Sequence, residues 1–128
     1  MGKKILIIDD DHEFIEAMAT LLEVKGYEVE GASEGKEGVA KAVQLCPDLI
    51  LLDVMMTRKT EGFDVAQDLA QNANTQKIPV ILITGIRRDM NLSFGFEPDK
   101  EWLPVRAVLE KPVKPETLLE AVRSALNE

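Results

Sequence analysis

The sequence predicts an α/β fold, in which a doubly wound, five-stranded parallel sheet has helices on both faces. Three observations carry this prediction. Strand-like and helix-like segments alternate along the chain, which is typical of folds built from βαβ units. Several of the strand-like segments are continuously apolar, and such runs indicate strands that are buried on both faces. Most of these runs end in a charged or hydroxyl side chain, at the edge where open α/β sheets bind their ligands.

The individual elements follow from apolar periodicity and from the residues that start and stop helices. Gly26 ends the first helix, Ser33 is expected to cap the second, and Pro115 opens the last. No clean helical period survives between 85 and 104, so a fourth helix in that segment would be irregular. The predicted strands are 5–8, 27–32 (nearer an edge), 48–53, 79–84 and 105–110. The first three helices are predicted over 12–25, 34–45 and 62–72, and the last helix begins at 115.

Length, charge and cysteine content narrow the classes of function. The 128 residues are enough for one domain, which we expect to span 1–128. The net charge of −8 argues against nonspecific nucleic-acid binding, and no apolar run is long enough to cross a membrane. The single cysteine, Cys46, cannot form an internal disulfide, which suits the reducing cytoplasm, and we expect it to be a buried small hydrophobe.

Five polar residues end or follow the predicted strands. They are Asp9, Asp10, Asp53, Thr84 and Lys111. Because the strands of a parallel sheet all end at the same edge, these five side chains are predicted to converge. Taken singly, each has a simpler interpretation, since the acids at 9–11 can cap the following helix and a lysine is usually solvated. Their shared position at strand ends favours a functional site.

The predicted cluster has the composition of a phosphoryl-transfer site. Carboxylates without His or Cys are the ligands that Mg²⁺ prefers, and a metal would relieve the repulsion between neighbouring acids. An aspartate beside Mg²⁺ can act as a nucleophile toward phosphorus and form an aspartyl phosphate. The metal and a lysine ammonium would neutralise the phosphoryl oxygens, and a threonine hydroxyl could hydrogen-bond one of them.

Over essentially its whole length, the chain resembles the receiver domains of two-component response regulators. Four motifs carry the resemblance, in the right order and at predicted strand ends. They are Ile7-Ile8-Asp9-Asp10-Asp11, Asp53-Val54-Met55-Met56, Ile83-Thr84-Gly85 and Glu110-Lys111-Pro112. The resemblance implies a flavodoxin-like strand order of 2-1-3-4-5. It also implies a phosphorylatable signalling module rather than an enzyme. We expect a stand-alone receiver, with a receiver cut from a larger protein as the alternative.

The resemblance assigns a role to each site residue. Asp53 would accept the phosphoryl group, and Thr84 and Lys111 would contact it. Asp10 and Asp53 would be the more direct carboxylate ligands of Mg²⁺. The full set of metal ligands would be Asp9, Asp10, Asp53 and the backbone carbonyl of Met55. The peptide bond between Lys111 and Pro112 would be cis.

The partners that the resemblance implies are proteins. A histidine kinase or histidine phosphotransfer protein would donate the phosphoryl group, and an unknown downstream target would be reached by protein–protein contact. We expect no nucleic acid and no membrane among the partners, and a monomer or weak dimer. Phe94, Phe96 and Trp102 either pin a long loop onto the body of the domain or form a partner-binding surface.

Three features depart from the family's pattern. Thr57 stands where receivers usually have a proline, in a loop that is longer than usual. The segment between Thr84 and Lys111 is also several residues longer. Val108 occupies the position of the usual switch aromatic, so the aromatic half of the coupling between phosphorylation and the surface is missing.

Two other functions stay open at the level of sequence. The run of acids at 9–11 also fits the Asp-x-Asp start of haloacid-dehalogenase-like phosphatases, although those enzymes need a cap and further downstream acids, and this chain is short. The longer loops and Val108 permit a phosphorylation-independent interaction module, although the retention of all five site residues argues against it.

Overall fold

The computed structural model describes residues 3–53, 65, 68–84, 105–111 and 113–127. The expectations for Met55, Thr57, Pro112 and the segment 85–104, which includes the three aromatic residues at 94, 96 and 102, lie outside the described residues. In the part of the chain that is described, no helix combines the length and apolarity needed to cross a membrane.

Five parallel strands form one sheet, as the sequence predicts. Their order is β2-β1-β3-β4-β5, which confirms the order implied by the resemblance. The strands are β1 (Lys4–Ile8), β2 (Glu28–Ala32), β3 (Leu49–Asp53), β4 (Val80–Thr84) and β5 (Val105–Glu110). These bounds agree with the predicted ones to within one residue. The strand that was expected near an edge, β2, lies at one.

Helices cover both faces of the sheet. They are α1 (His12–Val24), α2 (Gly35–Leu45), α3 (helical at 65 and 68–71) and α4 (Pro115–Ala125). Side chains alternate across β1, so that Ile5 and Ile7 belong to a core cluster with α1 and α4, while Leu6 and Ile8 belong to a second cluster with α2 and α3. All five residues of β3 are buried. The continuously apolar runs are therefore strands buried on both faces.

The first helix follows the sequence closely. Met18 and Leu22 are buried on the face that meets the sheet, and Phe14 is partly buried beside them. The helix ends before Gly26, whose φ of 96° lies in the left-handed region that glycine adopts without strain. The prediction that Gly26 stops this helix is confirmed.

The second helix differs from the prediction at its start, whereas it ends at Leu45 as predicted. Its N-cap is Glu34 rather than Ser33, and no side-chain hydrogen bond caps it. The backbone N–H of Ser33 instead donates to Oε1 of Glu37 at 3.1 Å, so this serine takes part in the helix start through its main chain. Cys46 is the C-cap, with a φ of 47°, and it is exposed. The expectation that Cys46 is buried is wrong, because in the left-handed C-cap conformation its thiol is exposed and lies 3.6 Å from the carbonyl oxygen of Val43.

Candidate functional site

The predicted cluster forms where β1, β3 and β5 end. Asp9 follows β1 directly, Asp53 is the last residue of β3, and Lys111 follows β5. The register pairs Ile8 with Leu52, which brings the next residue of each strand, Asp9 and Asp53, to the same level. Carboxylate oxygens of Asp9, Asp10 and Asp53 all lie within 4.8 Å of one another.

Lys111 connects the two buried acids. Its Nζ lies 3.0 Å from Oδ2 of Asp9 and 3.4 Å from Oδ2 of Asp53. The side chain of Lys111 is 24% exposed, whereas those of Asp9 and Asp53 are 1% and 3% exposed. A buried carboxylate needs a cation or hydrogen bonds to offset its lost hydration. The Lys111 ammonium therefore forms ion pairs with two carboxylates that the backbone holds side by side.

The site contains more carboxylates than cations, and this affects the pKa values of Asp9 and Lys111. The pKa of Asp9 is raised to about 6, because burial and the negative charge of Asp53 outweigh the opposing effects of the Asp11 backbone N–H and Lys111. Burial lowers the pKa of the Lys111 ammonium, but its contacts with Asp9 and Asp53 outweigh this effect and leave that pKa raised. The site therefore keeps its lysine charged and holds an excess of negative charge.

Asp11 organises the link between the site and α1. Its backbone N–H donates to Oδ1 of Asp9 at 2.8 Å. Its own side chain caps α1, with Oδ1 accepting from the N–H groups of Glu13 at 3.0 Å and Phe14 at 3.2 Å. The simpler interpretation of the acids as a helix start therefore applies to Asp11, while Asp9 and Asp10 belong to the cluster.

Four of the five predicted site residues are brought together by the structure. Asp9, Asp10, Asp53 and Lys111 form the cluster. Thr84 ends β4, one residue beyond the partner of Asp53 in the register, so its backbone lies at the same edge. The side chain of Thr84 lies outside the described residues, as do those of Val108 and Met55.

Sequence reasoning missed the part that Phe14 plays at this site. The helical spacing of Phe14 and Met18 indicates only a core-facing position in α1, yet the ring centroid of Phe14 lies 4.4 Å from Nζ of Lys111. The signal that could have found it is its position in the first turn of α1, three residues after the last acid of the run at 9–11.

The residues present fit a divalent cation. Three carboxylates with oxygens within 4.8 Å of one another offer hard ligands, and Mg²⁺ prefers such ligands in proteins. If the acids are ionised, the three carboxylates and the Lys111 ammonium leave an excess of two negative charges among the described groups, which a divalent cation would neutralise. The donor set contains no histidine or thiolate that would favour zinc instead.

Comparison with known proteins points in one direction. A family model described as the response regulator receiver domain matches residues 5–123. RpaA of Synechocystis sp., a DNA-binding dual master transcriptional regulator, is 39% identical over 124 residues, which are 97% of this chain and 49% of RpaA. Protein PilH of Pseudomonas aeruginosa is 36% identical over 126 residues, which are 96% of this chain and 97% of PilH. The chain thus spans about half of one relative and nearly all of another.

A solved structure extends the likeness to three dimensions. The chemotaxis response regulator CheY4 of Vibrio cholerae superimposes with a TM-score of 0.83 at 28% sequence identity, over 98% of this chain and 100% of CheY4. The β2-β1-β3-β4-β5 sheet and the acidic edge described above therefore occur within an architecture that is shared along the whole chain.

Proposed function

Because this chain belongs to the response regulator receiver domain family of two-component signalling systems, we propose that Asp53 is its phosphoacceptor. The observation that carries the proposal is the placement of Lys111, whose Nζ lies 3.4 Å from Oδ2 of Asp53 at the carboxyl end of a buried strand. Response regulators are signalling proteins rather than classical enzymes, and the domain itself would span 1–128.

The proposed reaction transfers a phosphoryl group from phosphohistidine to Asp53. A carboxylate oxygen of Asp53 attacks phosphorus, an O–P bond forms as the N–P bond breaks, and the departing imidazole keeps the electron pair and takes up a proton. Lys111 stays charged, because its carboxylate neighbours hold its pKa high, and can turn its ammonium toward the phosphoryl oxygens. The Thr84 hydroxyl would hydrogen-bond one of these oxygens.

Asp9, Asp10 and Asp53, with the backbone carbonyl of Met55, would hold Mg²⁺. The metal would supply charge neutralisation for the acidic cluster and for the phosphoryl group. Asp9 is anchored for this role, since its Oδ1 accepts from the Asp11 N–H and its Oδ2 contacts Lys111. Asp9 is therefore held in place by its contacts with its own chain.

The proposed partners are proteins. A histidine kinase or histidine phosphotransfer protein would be the donor, and phosphorylation would be read by a downstream protein. Among the relatives are the response regulator PleD of Caulobacter vibrioides, of which this chain covers 26%, and PilH, of which it covers 97%. We therefore propose output through protein–protein contact. Membership of the receiver family argues against the haloacid-dehalogenase-like alternative.

The test is intact-mass analysis after incubation with Mg²⁺ and acetyl phosphate. We expect the wild type to gain one phosphoryl group and Asp53→Asn to gain none. Asp48→Asn is the matched control, because Asp48 lies at the opposite end of β3, where its carboxylate accepts a hydrogen bond from the Lys4 N–H at 2.8 Å. This variant should gain the phosphoryl group as the wild type does.

Two results would count against the proposal. One is an equal mass gain in wild type and Asp53→Asn, which would place the modification elsewhere. The other is the absence of any gain with both acetyl phosphate and a phosphorylated histidine phosphotransfer protein while Mg²⁺ is bound. The second result would favour the phosphorylation-independent interaction module.

A further inference from the structure

The ring of Phe14 faces the ammonium group of Lys111. The 4.4 Å between Nζ and the ring centroid is well inside the distance of about 6 Å at which cation–π attraction acts. Phe14 is partly buried and packs against the core cluster that α1 and α4 share. One face of the residue therefore belongs to the core, while its ring also contacts the cation of the acidic site.

This contact closes a loop of four residues. Lys111 pairs with Oδ2 of Asp9 at 3.0 Å, and Oδ1 of Asp9 accepts from the Asp11 N–H at 2.8 Å. Oδ1 of Asp11 accepts from the Phe14 N–H at 3.2 Å, and the ring of Phe14 returns to Lys111. Asp11, the cap that begins α1, thus hydrogen-bonds both to the acid that pairs with Lys111 and to the backbone of the residue whose ring contacts it.

We propose that Phe14 is a positioning residue for Lys111, and that its ring holds the ammonium in place for phosphoryl transfer to Asp53. The inference rests on the proposed function and deepens it. Lys111 contacts Asp9 and Asp53 before transfer, and it must reach the phosphoryl oxygens during transfer. The ammonium N–H groups of Lys111 must turn when they exchange the carboxylate oxygens for the phosphoryl oxygens.

An aromatic ring suits this task better than an aliphatic side chain. Attraction to the ring face depends weakly on how the N–H groups point, so the ammonium can turn without losing it. The ring also covers a side of the ammonium that water would otherwise occupy, and the Lys111 side chain is only 24% exposed. Both effects keep Lys111 directed toward the acids at 9 and 53.

The decisive experiment varies the ring electronics while it keeps the ring shape. Phe14 is replaced, in the full chain, by phenylalanines that carry one, two and three fluorine atoms. The rate of phosphorylation by acetyl phosphate in Mg²⁺ is then measured by intact mass. We expect the rate to fall steadily along the series, by roughly three- to tenfold in total, because fluorine withdraws charge from the ring face. A flat series would overturn the proposal.

Natural substitutions separate attraction from packing. Phe14→Tyr and Phe14→Trp should keep most of the rate, whereas Phe14→Leu, which fills the core without a ring face, should lose several-fold. Met18→Leu is the control, since Met18 is buried one turn along the same face of α1. Met18→Leu should change the free energy of unfolding but leave the rate of phosphorylation close to that of the wild type. Equal rates in Phe14→Leu and wild type would contradict the proposal.

A measurement that does not need phosphorylation tests the contact itself. Protons at the end of the Lys111 side chain should resonate upfield in NMR spectra because of the Phe14 ring current, and Phe14→Leu should remove that shift. A wild type that shows the shift but accepts no phosphoryl group would overturn the proposed function, and the transfer role of Phe14 with it. A wild type that is phosphorylated but shows no shift would overturn the role of Phe14 alone.

Discussion

Asp9 is buried beside a second buried carboxylate, and one lysine neutralises only part of their charge. The backbone N–H of Asp11 and the ammonium of Lys111 favour its ionised form, while burial and Asp53 oppose it. Burial and Asp53 together have the larger effect, and the pKa of Asp9 is raised to about 6. In the absence of a divalent cation, the folded chain therefore binds a proton at Asp9 more tightly than the unfolded chain does.

This difference makes stability depend on pH. Below pH 3.8, Asp9 is protonated in both states and its contribution is fully present; as the pH rises to about 6 this contribution is lost, and above that it stays lost. We expect the free energy of unfolding of the metal-free wild type to fall over this range by on the order of 2–3 kcal/mol relative to Asp9→Asn. Urea unfolding at several pH values measures it.

Asp48→Asn serves as the control for that series, because its carboxylate is exposed and lies at the other end of the sheet. Parallel pH profiles for wild type and Asp9→Asn would contradict the expected pKa. Addition of Mg²⁺ above pH 6 should raise the stability of the wild type more than that of Asp9→Asn, since a ligand that binds only the folded state stabilises it.

At the scale of single residues, the sequence predicts the acids and the lysine well, because each one ends an apolar run whose direction is unambiguous. It does not distinguish the roles of consecutive acids. Asp9 and Asp11 differ by two positions, yet one is buried in the cluster and the other caps α1. That division depends on the bend of the chain after β1.

At the scale of elements, the packing of α2 against β1 depends on Gly38. It lies in α2 where the helix crosses β1, and a Cβ there would stand 2.7 Å from Cδ1 of Ile8 and 2.8 Å from its Cγ1 and Cγ2. A glycine within a helix is otherwise unfavourable by about 1 kcal/mol relative to alanine. The close approach to β1 explains why a glycine stands at this position.

We therefore expect Gly38→Ala to lower the free energy of unfolding by about 1–3 kcal/mol despite its better helix propensity. The added methyl group forces Ile8 or α2 to move. Ile8→Val in the same chain should restore part of the loss, because it removes Cδ1. Lys36→Ala, at an exposed position of α2, is the control and should change stability little. Thermal or urea unfolding of the four proteins decides the matter, and a stabilised Gly38→Ala would show that the approach is looser than described.

The start of α1 offers a second expectation at this scale. Asp11→Ala removes the two hydrogen bonds to the N–H groups of Glu13 and Phe14, and should lower the free energy of unfolding by about 1 kcal/mol. Asp11→Asn keeps a side-chain oxygen that can accept both, and should stay close to the wild type. A loss of the same size in both variants would mean that the charge of Asp11, rather than its cap, stabilises the helix.

The residues that flank α2, rather than the bounds of the helices, are where sequence reasoning fails most clearly. Serine and glutamate compete for the start of α2, and the hydrogen bond from the Ser33 N–H to Glu37 places the serine outside the cap. Cys46 is apolar enough for a core, but it is the left-handed C-cap of α2, and it is exposed there. Periodicity locates the elements, whereas local hydrogen bonding decides their last residues.

At the scale of the whole molecule, the sheet has three inner strands and two edges. β1, β3 and β4 have a neighbour on both sides, whereas β2 and β5 have one. Parallelism follows from the alternation of strands and helices, and with it the convergence of the site residues. The order of the strands is not contained in that alternation, and it was available only through the resemblance to receiver domains.

This arrangement predicts a gradient of local stability. We expect amide hydrogen exchange to be slowest in β1 and β3, and markedly faster in β2, which can separate from β1 without opening the centre of the sheet. Exchange measured by NMR or mass spectrometry on the metal-free chain tests this. Equal protection of β1 and β2 would mean that the sheet opens only as a unit.

Cys46 is the only cysteine of the chain, it is exposed, and it precedes the amino end of β3. Asp53 stands at the other end of that strand, four residue steps beyond Leu49, or roughly 13 Å along the sheet. A thiol-reactive dye would therefore attach at one defined point, near the edge of the sheet where the strands begin and away from the edge that carries the acids. The same thiol, tethered to a sensor surface, would orient every molecule alike, with its acidic edge open to the solution.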